Sequence, residues 1–300
     1  MKELLKNNKL ILMEGAVLEQ LRRSGKVDLH PTLLNALLIY DEVGKKELKK
    51  IYQGYIDIAL AAEIPFFMCT PTWRANQTRV LNANASRSIN LDSVRFMQEI
   101  RNAQKFGHER IKIGGLLGCK NDCYQPNEGL SVAEAEDFHA WQVEQLVAAE
   151  VDFLMAETLP NIEEATGIAR VLEKTGKPYI ISFVISRNGK VLDGTDLDVA
   201  VSVIDAKTNQ QPLGYMVNCA YPSFLCPSKQ PEKLFDRLIG YLANASSLDH
   251  CDLDGADQLE MEDVSEWGEE MLKLNRLFGM KLLGGCCGTG NDHLRYIVNN

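Results

Sequence analysis

The sequence lacks any long hydrophobic run, and it has no surplus of positive charge. No apolar run approaches the roughly 20 residues that a membrane helix needs, and the run at residues 10–13 is too short for a signal peptide. The formal net charge is -9, and no basic stripe is interleaved with aromatic side chains, which disfavours nucleic acid as a partner. We therefore expect a cytoplasmic protein with no membrane and no nucleic acid partner, whose ligand is a small molecule.

Aromatic residues are also few, at 7%, yet the chain has ample apolar material for a core. Its 300 residues are 45% hydrophobic and 24% charged, which is typical of an ordinary globular protein. This length fits one α/β barrel. In a reducing compartment, the eight cysteines are more naturally thiols, metal ligands or catalytic groups than a disulfide framework.

Helical and strand patterns alternate along the chain. Apolar side chains recur at three- and four-residue steps over residues 48–62, and a short apolar run follows at residues 64–69. Later, Asn161 is a predicted N-cap for a helix that ends near Gly176, and residues 179–185 form the next predicted strand. Apolar strands that alternate with helices indicate a parallel sheet covered on both sides.

The same pattern gives eight strand candidates over the whole chain. They lie at residues 11–13, 64–68, 111–115, 153–156, 179–184, 215–217, 238–242 and 281–283. Eight such units in this length predict a (β/α)8 TIM barrel that forms a single domain over residues 1–300. The acidic stretch at residues 248–270 is predicted to be a solvated loop followed by the start of a helix.

Candidate functional residues collect where the predicted strands end, which is where a TIM barrel builds its active site. Cys219 ends the sixth predicted strand, and Cys286 and Cys287 follow the eighth, so we expect their thiols to meet. Three thiolates suit zinc and leave its fourth tetrahedral position open. Adjacent side chains of a strand point to opposite faces, so we expect the glycines around Cys286 and Cys287 to let the backbone leave strand geometry.

Other features compete with this three-cysteine site. The cysteine count alone does not select it, because further cysteines lie in or near loops on the same predicted face: Cys69, Cys119, Cys123, Cys226 and Cys251. The pair Cys119 and Cys123 is a rival source of metal ligands. The glycine-rich stretch at residues 284–290 is also compatible with a phosphate cradle ahead of a helix, although phosphate binding does not need its cysteines.

Three stretches together resemble the homocysteine S-methyltransferase family. They are GGCCGT at residues 284–289, VNC at residues 217–219 and AETLPNIEEA at residues 156–165. The likeness covers nearly the whole chain, and the combination of GGCCGT with an upstream VNC is its specific part. It implies a (β/α)8 barrel in which the three cysteines Cys219, Cys286 and Cys287 hold Zn2+ and the thiol of homocysteine takes the open position.

The resemblance also implies substrate-binding residues. By their positions in the family motifs, Glu157 binds the substrate ammonium and Asn218 fixes its orientation. For Glu157, a salt-bridged structural role is the alternative, and for Asn218 the alternative is a loop cap that bonds to backbone groups. Glu14 and Gly15 stand where the family usually has Asp-Gly, and the extra methylene moves the carboxylate about 1.5 Å further into the pocket. This departure leaves the choice of acceptor open.

The leading hypothesis is therefore a zinc-dependent enzyme that transfers a methyl group to the thiol of homocysteine, or a close analogue, and forms methionine. No catalytic side chain is expected beyond the metal site. The donor is S-methylmethionine, S-adenosylmethionine, betaine or a methyl carrier bound to a partner protein. The alternatives are a zinc- and amino-acid-binding sensor or carrier without turnover, a family member with an altered acceptor or donor, and a zinc hydrolase. The hydrolase ranks lowest, because three thiolates make zinc-bound water a poor acid.

Overall fold

All eight predicted strands are present, and they close into one barrel. The computed structural model describes residues 1–249 and 261–300. Each strand pairs in parallel with its neighbours in chain order, and the eighth pairs with the first. The predicted TIM barrel is therefore confirmed. The strands are β1 Ile11–Met13, β2 Phe66–Cys69, β3 Ile111–Gly118, β4 Phe153–Leu159, β5 Tyr179–Phe183, β6 Gly214–Ala220, β7 Leu238–Ala243 and β8 Leu282–Gly285.

Helices surround this barrel and also close its N-terminal end. In the described part of the chain they are α1 Lys2–Asn7, α2 Leu18–Ser24, α3 Glu42–Ala61, α4 Gln77–Asn82, α5 Ile89–Asn102, α6 Val132–Ala148, α7 Ile162–Glu173, α8 Leu197–Lys207, α9 Val264–Phe278 and α10 Asn291–Asn299. Leu4 and Leu5 of α1 pack against the apolar cluster inside the barrel. The opposite, C-terminal end is therefore the one left for loops and a ligand.

Side chains alternate between two apolar layers, as the two-residue period of a strand requires. Ile11 and Met13 of β1 belong to the cluster that fills the barrel, whereas Leu12 between them packs outward under the helices. In β2, Phe67 points inward and Phe66 outward. Because both faces are buried, the strands read as continuous apolar runs, which made them recognisable in the sequence.

Local capping signals set where the helices begin. The side chain of Asn161 accepts a hydrogen bond from the backbone N–H of Glu164 at 2.9 Å, which confirms it as the N-cap of α7. Helix α3 starts several residues before the predicted stripe, because Asp41 caps it: its carboxylate accepts from Gly44 N at 2.6 Å. A capping bond of this kind contributes about 1 kcal/mol.

Part of the predicted acidic loop lies beyond the described residues. Helix α9 begins at Val264 after its N-cap Asp263, in agreement with the predicted helix start. Cys251 and residues 250–260 of that stretch lie outside the described residues. Within residues 1–249 and 261–300, none of the helices combines the length and the apolar character that crossing a bilayer requires.

Candidate metal and substrate site

Three cysteines meet at the C-terminal mouth of the barrel. Cys219 lies near the end of β6, and Cys286 and Cys287 directly follow β8. Their sulfur atoms all lie within 4.8 Å of one another, and the Sγ atoms of Cys219 and Cys286 are 2.7 Å apart. Among the residues that the structure describes, they form the one cluster of His, Cys, Asp and Glu side chains found with a geometry suited to a metal ion.

Cys219 reaches the cluster because β6 is irregular at its end. The pairing of β6 with β7 shifts register between Asn218 and Ala220, and Cys219 between them has a φ of 55°. A left-handed backbone costs a residue with a Cβ on the order of 1 kcal/mol. A β-bulge re-aims a side chain, and here it brings the Cys219 sulfur to the end of β8.

Cys286 and Cys287 lie beyond the end of their strand. Gly284 and Gly285 still pair with β7 as part of β8, so the expectation that these two glycines break the strand is wrong. The backbone leaves strand geometry only after them, in a turn where Gly288 has a φ of 83°. This left-handed value favours glycine, so Gly288 is the glycine that the cysteine pair requires.

Hydrogen bonds fix this turn against the neighbouring strand. Cys286 N donates to Ala243 O at 2.7 Å, and Ala245 N donates to Cys287 O at 2.9 Å. The hydroxyl of Thr289 donates to Cys286 O at 2.7 Å. The two thiols are therefore held in place by the backbone before any ligand binds.

Hydrogen bonds between the three thiols shift their pKa values. Hydrogen bonds from the thiols of Cys219 and Cys286 hold the pKa of Cys287 well below its usual value. Hydrogen bonding to Cys219, and then to Cys287, raises the pKa of Cys286. Three thiols this close together favour one thiolate that accepts hydrogen bonds from its protonated neighbours. A divalent cation relieves the repulsion between thiolates, which otherwise prevents all three thiols from ionising.

Two carboxyl groups lie in the same cavity. Burial, and then the charge of Glu157, raises the pKa of Glu14 well above its usual value, although Cys69 N donates to Glu14 Oε2 at 2.6 Å. Burial alone raises the pKa of Glu157 to about 7. Among the described residues, the Glu157 carboxylate has no ion-pair or hydrogen-bond partner. The alternative of a salt-bridged structural carboxylate therefore has no support in the structure.

Asn218 is buried, and its amide bonds to protein groups on three strands. Its Oδ1 accepts from Thr158 N at 2.9 Å and from the Ser182 hydroxyl at 2.7 Å. Its Nδ2 donates to Thr158 Oγ1 at 2.7 Å and to Cys219 Sγ at 3.3 Å. The amide therefore joins the ends of β4, β5 and β6, and it supports the sulfur that β6 contributes.

All seven predicted site residues line a single cavity of about 690 Å³. They are Glu14, Gly15, Glu157, Asn218, Cys219, Cys286 and Cys287. A Cβ at Gly15 would lie 2.8 Å from the Tyr55 hydroxyl and 3.2 Å from Thr289 Oγ1. Gly15 thus lets β1 approach α3 and the turn after β8 closely, which keeps the cavity wall thin at that point.

The rival pair Cys119 and Cys123 lies outside the three-cysteine cluster. Both residues are buried in the loop after β3, and the Cys119 thiol donates to Asn121 O at 3.5 Å. Burial raises the pKa of Cys123 to about 12 and that of Cys119 further. These thiols stay protonated at neutral pH, and among the described residues no third ligand atom joins the pair to form a metal-binding group.

Sequence reasoning missed several cavity residues. Arg74, Arg79 and Tyr124 line it, and the charge of the cysteine cluster, Cys219 first, raises the pKa of Tyr124. Thr158 has a φ of 59° and places its hydroxyl 3.8 Å from Cys219 Sγ. Arg74 could have been found from the sequence, because it belongs to the stretch CTPTWRAN that follows β2. Nothing in the sequence indicated Arg79, Tyr124 or Thr158.

Comparisons with known proteins agree with this geometry. Residues 11–300 match the model of the family described as homocysteine S-methyltransferase. A relative from Bacillus subtilis, homocysteine S-methyltransferase YbgG, is 26% identical over 96% of this chain and 93% of its own. The mouse S-methylmethionine–homocysteine S-methyltransferase BHMT2 is 26% identical over 64% of this chain and 55% of its own.

A solved structure shows the same fold. The metallated form of the homocysteine methyltransferase MmuM from Escherichia coli superposes with a TM-score of 0.77, covering 99% of this chain and 98% of that one at 18% identity. The family match extends over all eight strands, the carboxyl groups of Glu14 and Glu157 and the three clustered cysteines. The chain therefore belongs to the homocysteine S-methyltransferase family.

Proposed function

We propose that this protein is a zinc-dependent S-methyltransferase that methylates the thiol of homocysteine and forms methionine. The observation that carries the proposal is the meeting of three sulfur atoms within 4.8 Å at the ends of β6 and β8. They face the cavity that also holds the carboxylate of Glu157, for which residues 1–249 and 261–300 supply no ion-pair partner. A soft metal site beside an ammonium-binding group fits an amino acid that carries a thiol.

Zinc fits the donor set of this cluster. With Zn–S bonds of about 2.3 Å, the sulfurs of a tetrahedral site lie about 3.8 Å apart, within the 4.8 Å limit that all three share. The Cys219 and Cys286 sulfurs, at 2.7 Å, would move apart by about 1 Å on loading. Bound zinc deprotonates a coordinated thiol, which supplies the nucleophile at neutral pH.

The remaining residues bind and orient the acceptor. Glu157, with Glu14 beside it, receives the substrate ammonium, and Asn218 holds the Cys219 sulfur and the ends of three strands in position. The acceptor sulfur then attacks the methyl carbon in line. A new S–C bond forms as the bond between that carbon and the onium centre breaks, and the electron pair leaves with the demethylated donor.

The donor is proposed to be S-methylmethionine, S-adenosylmethionine or betaine, or a methyl carrier on a partner protein. Relatives named for S-methylmethionine and for betaine both occur among the matches, so sequence similarity alone does not identify the donor. The location proposed for the protein is the cytoplasm, where its free thiols stay reduced.

The test is a donor screen with reduced, zinc-loaded protein. Methionine formation from homocysteine is measured with S-methylmethionine, S-adenosylmethionine, betaine and methylcobalamin, together with the zinc content of the protein. We expect stoichiometric zinc and turnover with at least one donor. Tight homocysteine binding without methionine from any donor would instead favour a carrier or sensor, a role compatible with the engagement of Glu14 by Cys69 N. Turnover with a different thiol alone would indicate an altered acceptor.

A further inference from the structure

Two arginines, Arg74 and Arg79, line the cavity together with the carboxylates of Asp122 and Glu128. Arg74 lies in the loop after β2, and Arg79 lies in α4. Both side chains are half-buried and line the same cavity as the cysteine cluster. In a chain of net charge -9, a pair of arginines turned into a ligand cavity is a feature that needs an explanation.

Neutral groups hold both guanidinium groups in place. Arg74 Nη1 donates to Asn121 O, and its guanidinium carbon lies 4.1 Å from the centre of the Trp73 ring. Arg79 donates to Thr32 O and to Lys120 O, each at 3.2 Å. These partners come from the loops after β1, β2 and β3, so the position of the guanidinium groups is fixed by the fold.

Neither guanidinium lies within ion-pair distance of a carboxylate in the described part of the chain, although the charge of Asp122, which also lines the cavity, acts on Arg79. Burial, and then the charge of Arg74, lowers the pKa of Arg79, which shows that the two groups repel each other. Each guanidinium has five N–H donors and uses only about two of them here. Unpaired, preorganised guanidinium groups bind carboxylates in bidentate fashion.

The strand that precedes the arginines lies across the barrel from the strand that carries Cys219. In a barrel of eight strands closed in chain order, β2 is diametrically opposite β6, which carries Cys219. The acceptor thiol belongs on the cysteine side, and in-line transfer requires the donor to approach from the opposite side. The donor's distal group would then extend towards Arg74 and Arg79.

We propose that Arg74 and Arg79 form the subsite that binds the carboxylate of the methyl donor. The inference rests on the proposed function and sharpens it: the donor is a small onium compound that carries its own carboxylate. A methyl group delivered by a corrinoid on a partner protein does not need this subsite. The acceptor's carboxylate is the competing ligand for the arginines, and the experiment separates the two.

The experiment compares donors with and without a carboxylate. Wild type, Arg74→Gln and Arg79→Gln are assayed with S-methylmethionine, betaine and the carboxamide of each. We expect the wild type to prefer the carboxylate form, and each variant to raise the KM of that form roughly tenfold to a hundredfold. The KM of the carboxamide and of homocysteine should stay unchanged.

Matched variants exclude a general loss of structure. Arg187→Gln removes an arginine that also stacks on an aromatic ring, 4.8 Å from Phe224, but is absent from the cavity lining, so it should leave every KM unchanged. Arg74→Lys keeps the positive charge but lacks the planar guanidinium group that binds a carboxylate with two hydrogen bonds. Its KM for the carboxylate donor should therefore lie between those of the wild type and Arg74→Gln. Zinc content and the unfolding midpoint show that each variant is folded.

Two results would overturn the inference while leaving the proposed function intact. One is an unchanged donor KM in both glutamine variants; the other is a raised KM for homocysteine instead of the donor. If the wild type forms no methionine, the proposed function itself fails, and titration calorimetry of the zinc-loaded protein with S-methylmethionine and betaine decides the inference. Binding of a carboxylate donor that weakens in Arg74→Gln supports it, and equal or absent binding refutes it.

Discussion

The protein contains two groups of nearby cysteines that differ in almost every physical property. Cys219, Cys286 and Cys287 come from strand ends far apart in the sequence and share hydrogen bonds between sulfurs, and all three line the cavity, as does Cys123 of the other group. Cys119 and Cys123 are four positions apart in one loop, and both are buried. Short spacing in the sequence therefore did not identify the group that resembles a metal site.

The difference shows what converts a cysteine into a ligand. In the three-cysteine cluster, the bulge at Cys219 and the left-handed backbone of Gly288 direct the sulfur atoms towards one point. The left-handed backbone is strained at a residue with a Cβ, such as Cys219. The loop pair has no such aiming, and burial keeps its thiols protonated, with the pKa of Cys123 at about 12. Direction, more than residue type, separates the two groups, since the pKa of Cys286 in the cluster is raised as well.

The largest expected effect comes from removing one cysteine of the cluster. Cys219→Ala, Cys286→Ala and Cys287→Ala should each lose stoichiometric zinc and all measurable methyl transfer, because a three-ligand site cannot spare a ligand. Zinc per chain by mass spectrometry is the measurement. Cys119→Ala and Cys123→Ala are the controls and should keep zinc; loss of zinc in the controls alone would reverse the comparison.

A substitution at Glu157 tests whether this cavity residue serves ligand binding and lowers the stability of the fold. The Glu157→Gln variant should raise the KM for homocysteine about tenfold to a hundredfold, since it removes the charge that meets the ammonium. In the wild type, homocysteine affinity should rise between pH 6 and pH 8, because the pKa of Glu157 is about 7 and only the ionised form binds a cation. A pH-independent affinity would contradict this role.

The same substitution should make the folded protein more stable. Burial raises the pKa of Glu157 from 4.5 to about 7, so the folded state holds the proton more tightly than the unfolded state. Stability is therefore lost as pH rises from about 4.5 through 7, and Glu157→Gln should recover about 2–3 kcal/mol at pH 8 and nothing at pH 4. Urea unfolding at both pH values measures it, with exposed Glu144→Gln as the control.

Asn218 should matter less than the ligands it supports. Asn218→Ala leaves Thr158 N and the Ser182 hydroxyl without their partner and removes the donor to Cys219 Sγ. We expect zinc affinity to fall about 10- to 100-fold and the free energy of unfolding to drop by about 1–3 kcal/mol. Competition with a chelator measures the first; Ser182→Ala, which leaves the bond to sulfur intact, should lower zinc affinity much less.

The smallest effect concerns reactivity and needs no substitution. In reduced, zinc-free protein at pH 8, iodoacetamide should label Cys287 first, because its pKa is well below the usual value. Cys119 and Cys123 should react only after unfolding, since burial raises their pKa. Peptide mapping by mass spectrometry follows each site, and fast native labelling of the loop pair would remove the contrast.

Much of the fold could be predicted because strand and helix periods are local. The eight apolar runs mark β1 to β8, and Asn161 marks the start of α7 in the sequence as in the structure. The strand ends of a TIM barrel share one face, which predicted that Cys219, Cys286 and Cys287 can meet, and the resemblance to the family selected them over the other cysteines of that face. The roles of Gly284 and Gly285 were not predictable, because a paired strand and a turn can have the same glycine-rich sequence.

The sequence by itself determined the barrel and the face on which its strand ends lie, because these follow from periodicity and strand order, and the resemblance to the family selected Cys219, Cys286 and Cys287 among the cysteines of that face. Only the tertiary structure decided that Glu157 has no ion-pair partner among the residues described, that Asn218 bonds to the sulfur of Cys219 and that Arg74 and Arg79 meet in one cavity. These properties arise from contacts between segments distant along the chain. Local patterns carry no information about such contacts until the barrel closes and brings the loops together.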